Sequence, residues 1–142
     1  MKDINVEELL NDPNYLYKKG HIVWVKFPNN EDSGSIQNGL RKALIYSNDI
    51  NNIYSTVLHV IPMTTKNKKF KLHLHRDNSR DFFCPEQLQL INKDWIIKES
   101  GFETISDKQL KMVDDLIDVQ MGRKAYKDIR QNLGRGNKNE RY

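Results

Sequence analysis

The sequence is poor in features that would place it in several common classes. It has a single cysteine, Cys84, so an internal disulfide is excluded. No apolar run approaches the roughly 20 residues that cross a bilayer. The seven glycines never fall in the Walker or dinucleotide spacing that cradles phosphates. The opening MKDINVEELL has no basic stretch followed by an apolar one, so no signal peptide is expected. There are no internal repeats. Together these absences predict a cytoplasmic protein with no membrane association and no cofactor.

What remains is a soluble, globular composition. The 142 residues fit one domain and suffice to bury a core. The net charge of +4 is unevenly spread. Residues 1–17 carry one Lys against four acids, and residues 92–118 carry four Lys against seven acids. Residues 64–80 carry six Lys/Arg against one Asp, and residues 122–142 carry seven against two. Two basic zones on an otherwise acidic molecule fit a polyanionic partner, and equally a solvated surface.

Periodicity places the elements. Residues 3–10 suit a short helix, broken by NDPN at 11–14. HIVWVKF (21–27) alternates Ile22, Trp24 and Lys26 against Val23, Val25 and Phe27, as a strand does. Residues 28–39 form a long polar loop, 42–47 a short buried strand, 48–52 a turn and 55–63 another strand. FKLHLHR (70–76) reads as a half-exposed strand, and 82–91 as a strand with a bulge or edge at Pro85. Ser106 and Gln109 form a capping box ahead of a helix with Leu110, Val113, Leu116 and Ile117 on one face. Helix could resume after Gly122, and GRGNKNERY reads as disordered. Five short strands and a late helix predict a small, curved β-barrel.

Several residues could carry chemistry. Arg41 lies between a glycine-bearing loop and an apolar strand. A guanidinium there must find a partner, a loop acid such as Glu31 or Asp32, or serve a phosphate. Thr64 and Thr65 end a strand beside lysines, where a hydroxyl can bind a phosphate oxygen or its own backbone. Glu86, just after Pro85, is either exposed at a sheet edge or held by a cation such as Arg41. His73 and His75 share a strand face, but a third metal ligand is missing because His59 and Cys84 are isolated. No metal site is expected. His75, flanked by Lys71 and Arg76, suits a nucleic-acid contact better.

Taken in order, these pieces resemble the MazF/PemK endoribonuclease toxins of bacterial toxin–antitoxin systems. KKGHIVWVKF is similar to that family's first strand. GSIQNGLR resembles its Gly-Ser-x-Gln-x-Gly-x-Arg loop, on Gly34, Ser35, Gln37, Gly39 and Arg41. ALIYSND, VLHVIPMTTK, EQLQLIN and ISDKQLKMVDDLI resemble the later strands and the closing helix. The resemblance runs over residues 18–121, leaving 1–17 as an N-terminal extension and 122–142 as a basic tail. The sequence departs from the pattern at Ile36, Lys42 and Gln89.

The resemblance implies a mainly β (α+β) fold, an SH3-like barrel of about five to seven strands with a C-terminal helix, and a homodimer. It implies metal-independent cleavage of single-stranded RNA, and an acidic antitoxin as partner. By matching, Arg41 and Thr64 fall on catalytic positions and Glu86 on the acidic position of the later strand. Gln37, His75 and Gln87 fall by the same matching at RNA-contact positions, and Ser35, Gly39, Thr65, Lys66 and Lys71 are expected to contact RNA beside them. Two rival readings stay open, a non-catalytic nucleic-acid-binding barrel and a peptide-binding module.

Overall fold

The computed structural model describes residues 4–28, 39–67 and 69–133. The first helix, α1 (Val6–Asn11), starts where the Asn5 side chain accepts from the Glu8 amide, 3.0 Å away. It ends at Asp12, whose extended backbone suits the residue before Pro13. Strand β1 (His21–Phe27) follows, then β2 (Gly39–Ile45), which begins three residues before the expected Lys42. Gly39 opens β2 at φ +72°, a conformation that favours glycine.

The expected turn at 48–52 is instead the start of a helix, α2 (Asp49–Tyr54). The Asn48 side chain accepts from the Asn51 amide at 2.8 Å, so the same Asn-Asp chemistry that builds turns here caps a helix. Strand β3 (Val57–Thr64) comes next. The alternating segment 70–76 is mostly not strand. Only β4 (Leu74–His75) pairs, and His73 is buried rather than half-exposed. The stretch 82–91 divides into β5 (Phe82–Phe83), a 3₁₀ turn (Pro85–Gln87) and β6 (Gln89–Asn92). Pro85 has no amide hydrogen for a ladder, and a first helical position loses nothing by that.

Short strand β7 (Glu103–Thr104) precedes the main helix, α3 (Asp107–Gln120). Half of the expected capping box forms. Ser106 Oγ accepts from the Gln109 amide at 3.1 Å, but the Gln109 side chain turns to β4 instead. Helix α4 (Tyr126–Leu133) resumes after Gly122, as expected. Residues 134–142 lie outside the described residues.

The strands form one antiparallel sheet in the order β4-β5-β3-β2-β1-β7, with β6 also on β3. It curls into a half-barrel with the C-terminal helices against it, matching the expected barrel-and-helix class. Both faces are buried, because successive residues of a strand point to opposite sides. On one face Ile22, Leu44, Ile61, Met63, Leu74 and Phe83 pack under Val113, Leu116, Ile129 and Leu133 of α3 and α4. On the other, Val23, Val25, Phe27, Ala43, Ile45, Leu58 and Val60 fill the inside of the curl with Ile91 and Ile96. At about 1.5–3 kcal/mol per buried large aliphatic side chain, these two layers dominate the stability of the domain.

Candidate active site

The pairing register places the site. Thr64 is opposite Phe82 on β5, and Phe82 is opposite His75 on β4. Ala43 is opposite Pro62 on the β2–β3 ladder. Carried two residues further, that register sets Arg41 opposite Thr64. Residues directly opposed across antiparallel strands share a face. Arg41, Thr64, Phe82 and His75 therefore form one row across four strands, roughly 14 Å long at about 4.8 Å per strand. The row lies on the face of Val25, Ala43 and Ile45, at the open end of the inner core.

Two adjacent cations of β2 meet different fates. Lys42 points to the other face, where its Nζ is 3.0 Å from Glu103 Oε2 and 3.6 Å from Asp81 Oδ2. Arg76 joins the same acids, at 2.9 Å and 3.7 Å. The hydrogen bond from Lys42, with that from Arg76, holds the Glu103 carboxyl below the usual carboxylate range. Arg41 has no ion pair among the described residues, and its Nε is buried without a hydrogen-bond partner there. Glu31 and Asp32, the expected structural partners, lie outside the described residues, as do Ser35 and Gln37 of the RNA-contact set.

Thr64 is 4 % exposed, and its Oγ1 accepts from the Lys66 amide at 3.2 Å. That bond uses a lone pair and leaves the hydroxyl hydrogen available to donate. His75 stacks obliquely on Phe82 with ring centroids 5.0 Å apart. Its Nε2 is 2.8 Å from the Ser79 carbonyl oxygen. A carbonyl only accepts, so Nε2 carries the hydrogen and Nδ1 is the basic nitrogen of the neutral ring. The buried Gln109 side chain fixes this strand from α3, donating to the His75 carbonyl at 2.9 Å and accepting from the Asp77 amide at 3.0 Å.

Glu86 is held by a cation-forming side chain, but that side chain is not Arg41. Its Oε2 is 2.7 Å from His73 Nε2. Cys84 is not isolated either. Leu74 is opposite Phe83, so the next pair outward is His73 with Cys84, and the Cys84 amide donates to Pro62 O at 3.0 Å. Gln87 sits in the same 3₁₀ turn, with its Nε2 3.5 Å from Glu86 Oε2. Gly39 opens β2 and Thr65 and Lys66 follow the end of β3, and Thr65, Lys66 and Lys71 are exposed. Lys71 Nζ reaches over the Tyr126 ring at 5.8 Å.

The sequence reading missed Phe82 as the link between Thr64 and His75, and Gln109 as the anchor of β4. The spacing Ser106–Gln109 did single out the right glutamine, but for its helix rather than for the strand it holds.

Known proteins share this fold. Residues 18–121 match the model of the PemK-like, MazF-like toxins of type II toxin–antitoxin systems. An Endoribonuclease MazF of Staphylococcus saprophyticus is 28% identical over 97 residues, covering 63% of this chain and 79% of that protein. Among solved structures, a MazE–MazF complex from Deinococcus radiodurans superposes with a TM-score of 0.64 at 16% identity, over 78% of this chain and 100% of that one. MazF alone from the same organism gives 0.63 at 20% identity, over 76% and 98%. A mycobacterial endoribonuclease in complex with its cognate antitoxin gives 0.56 at 14% identity, over 74% and 92%. These structures share the fold, the family match spans more than half of the sequence, and the chain belongs to the PemK-like, MazF-like toxin family of type II toxin–antitoxin systems.

Proposed function

We propose that the protein is an endoribonuclease toxin that cleaves single-stranded RNA by attack of a ribose 2′-hydroxyl on the adjacent phosphate. The observation that carries the reading is Arg41, a cation without an ion pair among the described residues, two residues beyond the Ala43–Pro62 pair on the side where β3 ends in Thr64. The attack builds negative charge on the phosphoryl oxygens. Arg41 supplies a planar fork and permanent charge to meet it, and Thr64 donates from its hydroxyl. DNA lacks the 2′-hydroxyl and is not cut.

The proton needs a separate carrier, because an arginine with a pKa above about 12 is a poor base at neutral pH. Glu86 and His75 are the two candidates. Glu86 shares its carboxylate with His73, whereas His75 stands in the row with Nδ1 as its basic nitrogen. His75 is the better-placed general base of the two, in the same row as Thr64 with the Phe82 ring between them. Lys66, Lys71 and Thr65 hold the flanking phosphates, and Ser35, Gln37, Gly39 and Gln87 contact the RNA. A homodimer and an acidic antitoxin that covers this face complete the reading. Solved relatives in complex with MazE or with a cognate antitoxin support the second of these.

The test is incubation of the purified protein with a long single-stranded RNA in EDTA, beside Arg41→Ala. Discrete fragments ending in a 2′,3′-cyclic phosphate, absent from the variant, support the reading. Intact RNA that is nonetheless bound in a salt-dependent way leaves a binding module in its place.

A further inference from the structure

We propose that His73, Cys84 and Glu86 form a binding site for a divalent transition metal of the Zn²⁺ type, one row behind the candidate active site. Each residue offers one ligand atom, and the three atoms lie within 4.8 Å of one another. The inference rests on neither Arg41 nor RNA.

The site is built by the sheet. His73 and Cys84 are opposed across the β4 and β5 ends, one pair beyond Leu74 and Phe83. The 3₁₀ turn that Pro85 starts folds the chain so that Glu86, two residues past Cys84, returns to the same point. On this face the set His73, Cys84, Pro62 and Ala43 runs parallel to His75, Phe82, Thr64 and Arg41, two residues along each strand.

The donor set selects the metal. One imidazole nitrogen, one thiolate sulfur and one carboxylate oxygen suit Zn²⁺ and its neighbours, whereas Mg²⁺ and Ca²⁺ prefer oxygen alone. His73 is 1 % exposed and Cys84 0 %, so the site is shielded on the protein side. The Glu86 side chain is 21 % exposed, which gives an ion a path in and a water a fourth position. Two buried atoms of the cluster, His73 Nδ1 and Glu86 Oε1, have no hydrogen-bond partner among the described residues. His73 Nε2 and Glu86 Oε2 already face each other at 2.7 Å and are placed to share one ion, with Glu86 Oε1 free to turn onto it and Nδ1 left as the N–H of the ring. Coordination releases the Cys84 thiol proton to solvent. The neutral imidazole keeps its one N–H on the nitrogen that does not coordinate. The ion pins the turn carrying Glu86 and Gln87 to the end of β4, and with it the strand that presents His75.

The experiment is a Co²⁺ titration of untagged, full-length protein stripped by chelator, read by absorption. The expected result is one equivalent of Co²⁺ with an intense thiolate-to-cobalt charge-transfer band and tetrahedral d–d bands. The charge-transfer band disappears in Cys84→Ser, and the affinity falls at least about 100-fold in His73→Gln, more than an outer-shell change costs. Zn²⁺ displaces the Co²⁺ and raises the Tm of the wild type but not of Cys84→Ser. Circular dichroism shows whether each variant is folded. Folded wild-type protein that gives no thiolate band overturns the proposal, as does Co²⁺ binding unchanged in folded Cys84→Ser. Binding without a thiolate band places the ion on a surface histidine such as His59 and equally counts against the site.

Discussion

Lys42 Nζ lies 3.0 Å from Glu103 Oε2, and this bond ties the second strand to the last one while its neighbour Arg41 stays without an ion pair among the described residues. One residue of offset on a strand thus separates a paired cation from one without an ion pair among the described residues, since the two point to opposite faces. The distinction is testable residue by residue. Lys42→Met removes a partly exposed ion pair and costs no more than about 1 kcal/mol of stability, leaving RNA cleavage within a few fold. Urea unfolding and a cleavage assay on one preparation check both halves.

Acid reveals the same cluster. The Glu103 carboxyl is held below its ordinary value by the Lys42 hydrogen bond first, and then by Arg76. A depressed carboxyl contributes stability that is complete above its unfolded pKa of about 4.3 and is lost as pH falls through the lower folded value. Glu103→Gln should therefore unfold at lower urea than wild type at pH 7. The gap should close as pH falls below about 4. A gap that widens on acidification contradicts the assignment.

His21 gives a second, separate pH response. Its ring stacks on Phe102 at 3.8 Å, Nδ1 is 3.1 Å from the Leu16 carbonyl oxygen, and burial pushes its pKa below the ordinary value. The folded state resists protonation, so stability is complete above the unfolded pKa of about 6.5 and declines as pH falls toward the folded value. His21→Phe keeps the stack and should flatten the stability profile between about pH 7 and 5. Thermal melts across that range provide the comparison.

Gln109 links the helix to the site. It is 2 % exposed and bridges the Asp77 amide and the His75 carbonyl. Gln109→Leu leaves both backbone groups without this partner, at a cost of about 1–3 kcal/mol each at most. At a temperature where the variant is folded, cleavage should still fall, because His75 loses its anchor. Glu at this position can accept from Asp77 but cannot donate to His75, so Gln109→Glu should recover stability only in part.

Much of the fold was legible in the sequence. The alternation at 21–27 named β1 face by face, and the apolar spacing after Ser106 named the buried side of α3. These signals are local, so one segment carries them whole. The stretch from Phe70 to Asn92 was misread because its alternation of apolar and polar residues belongs to turns. There only Leu74–His75, Phe82–Phe83 and Gln89–Asn92 pair. The candidate site was legible as a residue set, through the resemblance, but not as a geometry. That Thr64, Phe82 and His75 share a row, and that His73 meets Cys84 and Glu86, depends on the register of strands far apart in sequence. A one-residue slip there would turn each side chain to the other face.

The central claim is that Arg41 and Thr64 act together on one phosphate. Its most direct test is single-turnover cleavage of a long single-stranded RNA in EDTA by wild type, Arg41→Ala, Thr64→Val and the double variant, each checked for folding. The account predicts a loss of about 10²–10³-fold for Thr64→Val, the range seen when one transition-state donor is removed, and a larger loss for Arg41→Ala. Thr64→Ser should retain most of the activity. The double variant should be little worse than Arg41→Ala, because residues that act as a unit are not additive. Undiminished cleavage by a folded Arg41→Ala, or fully additive losses in the double variant, would contradict it.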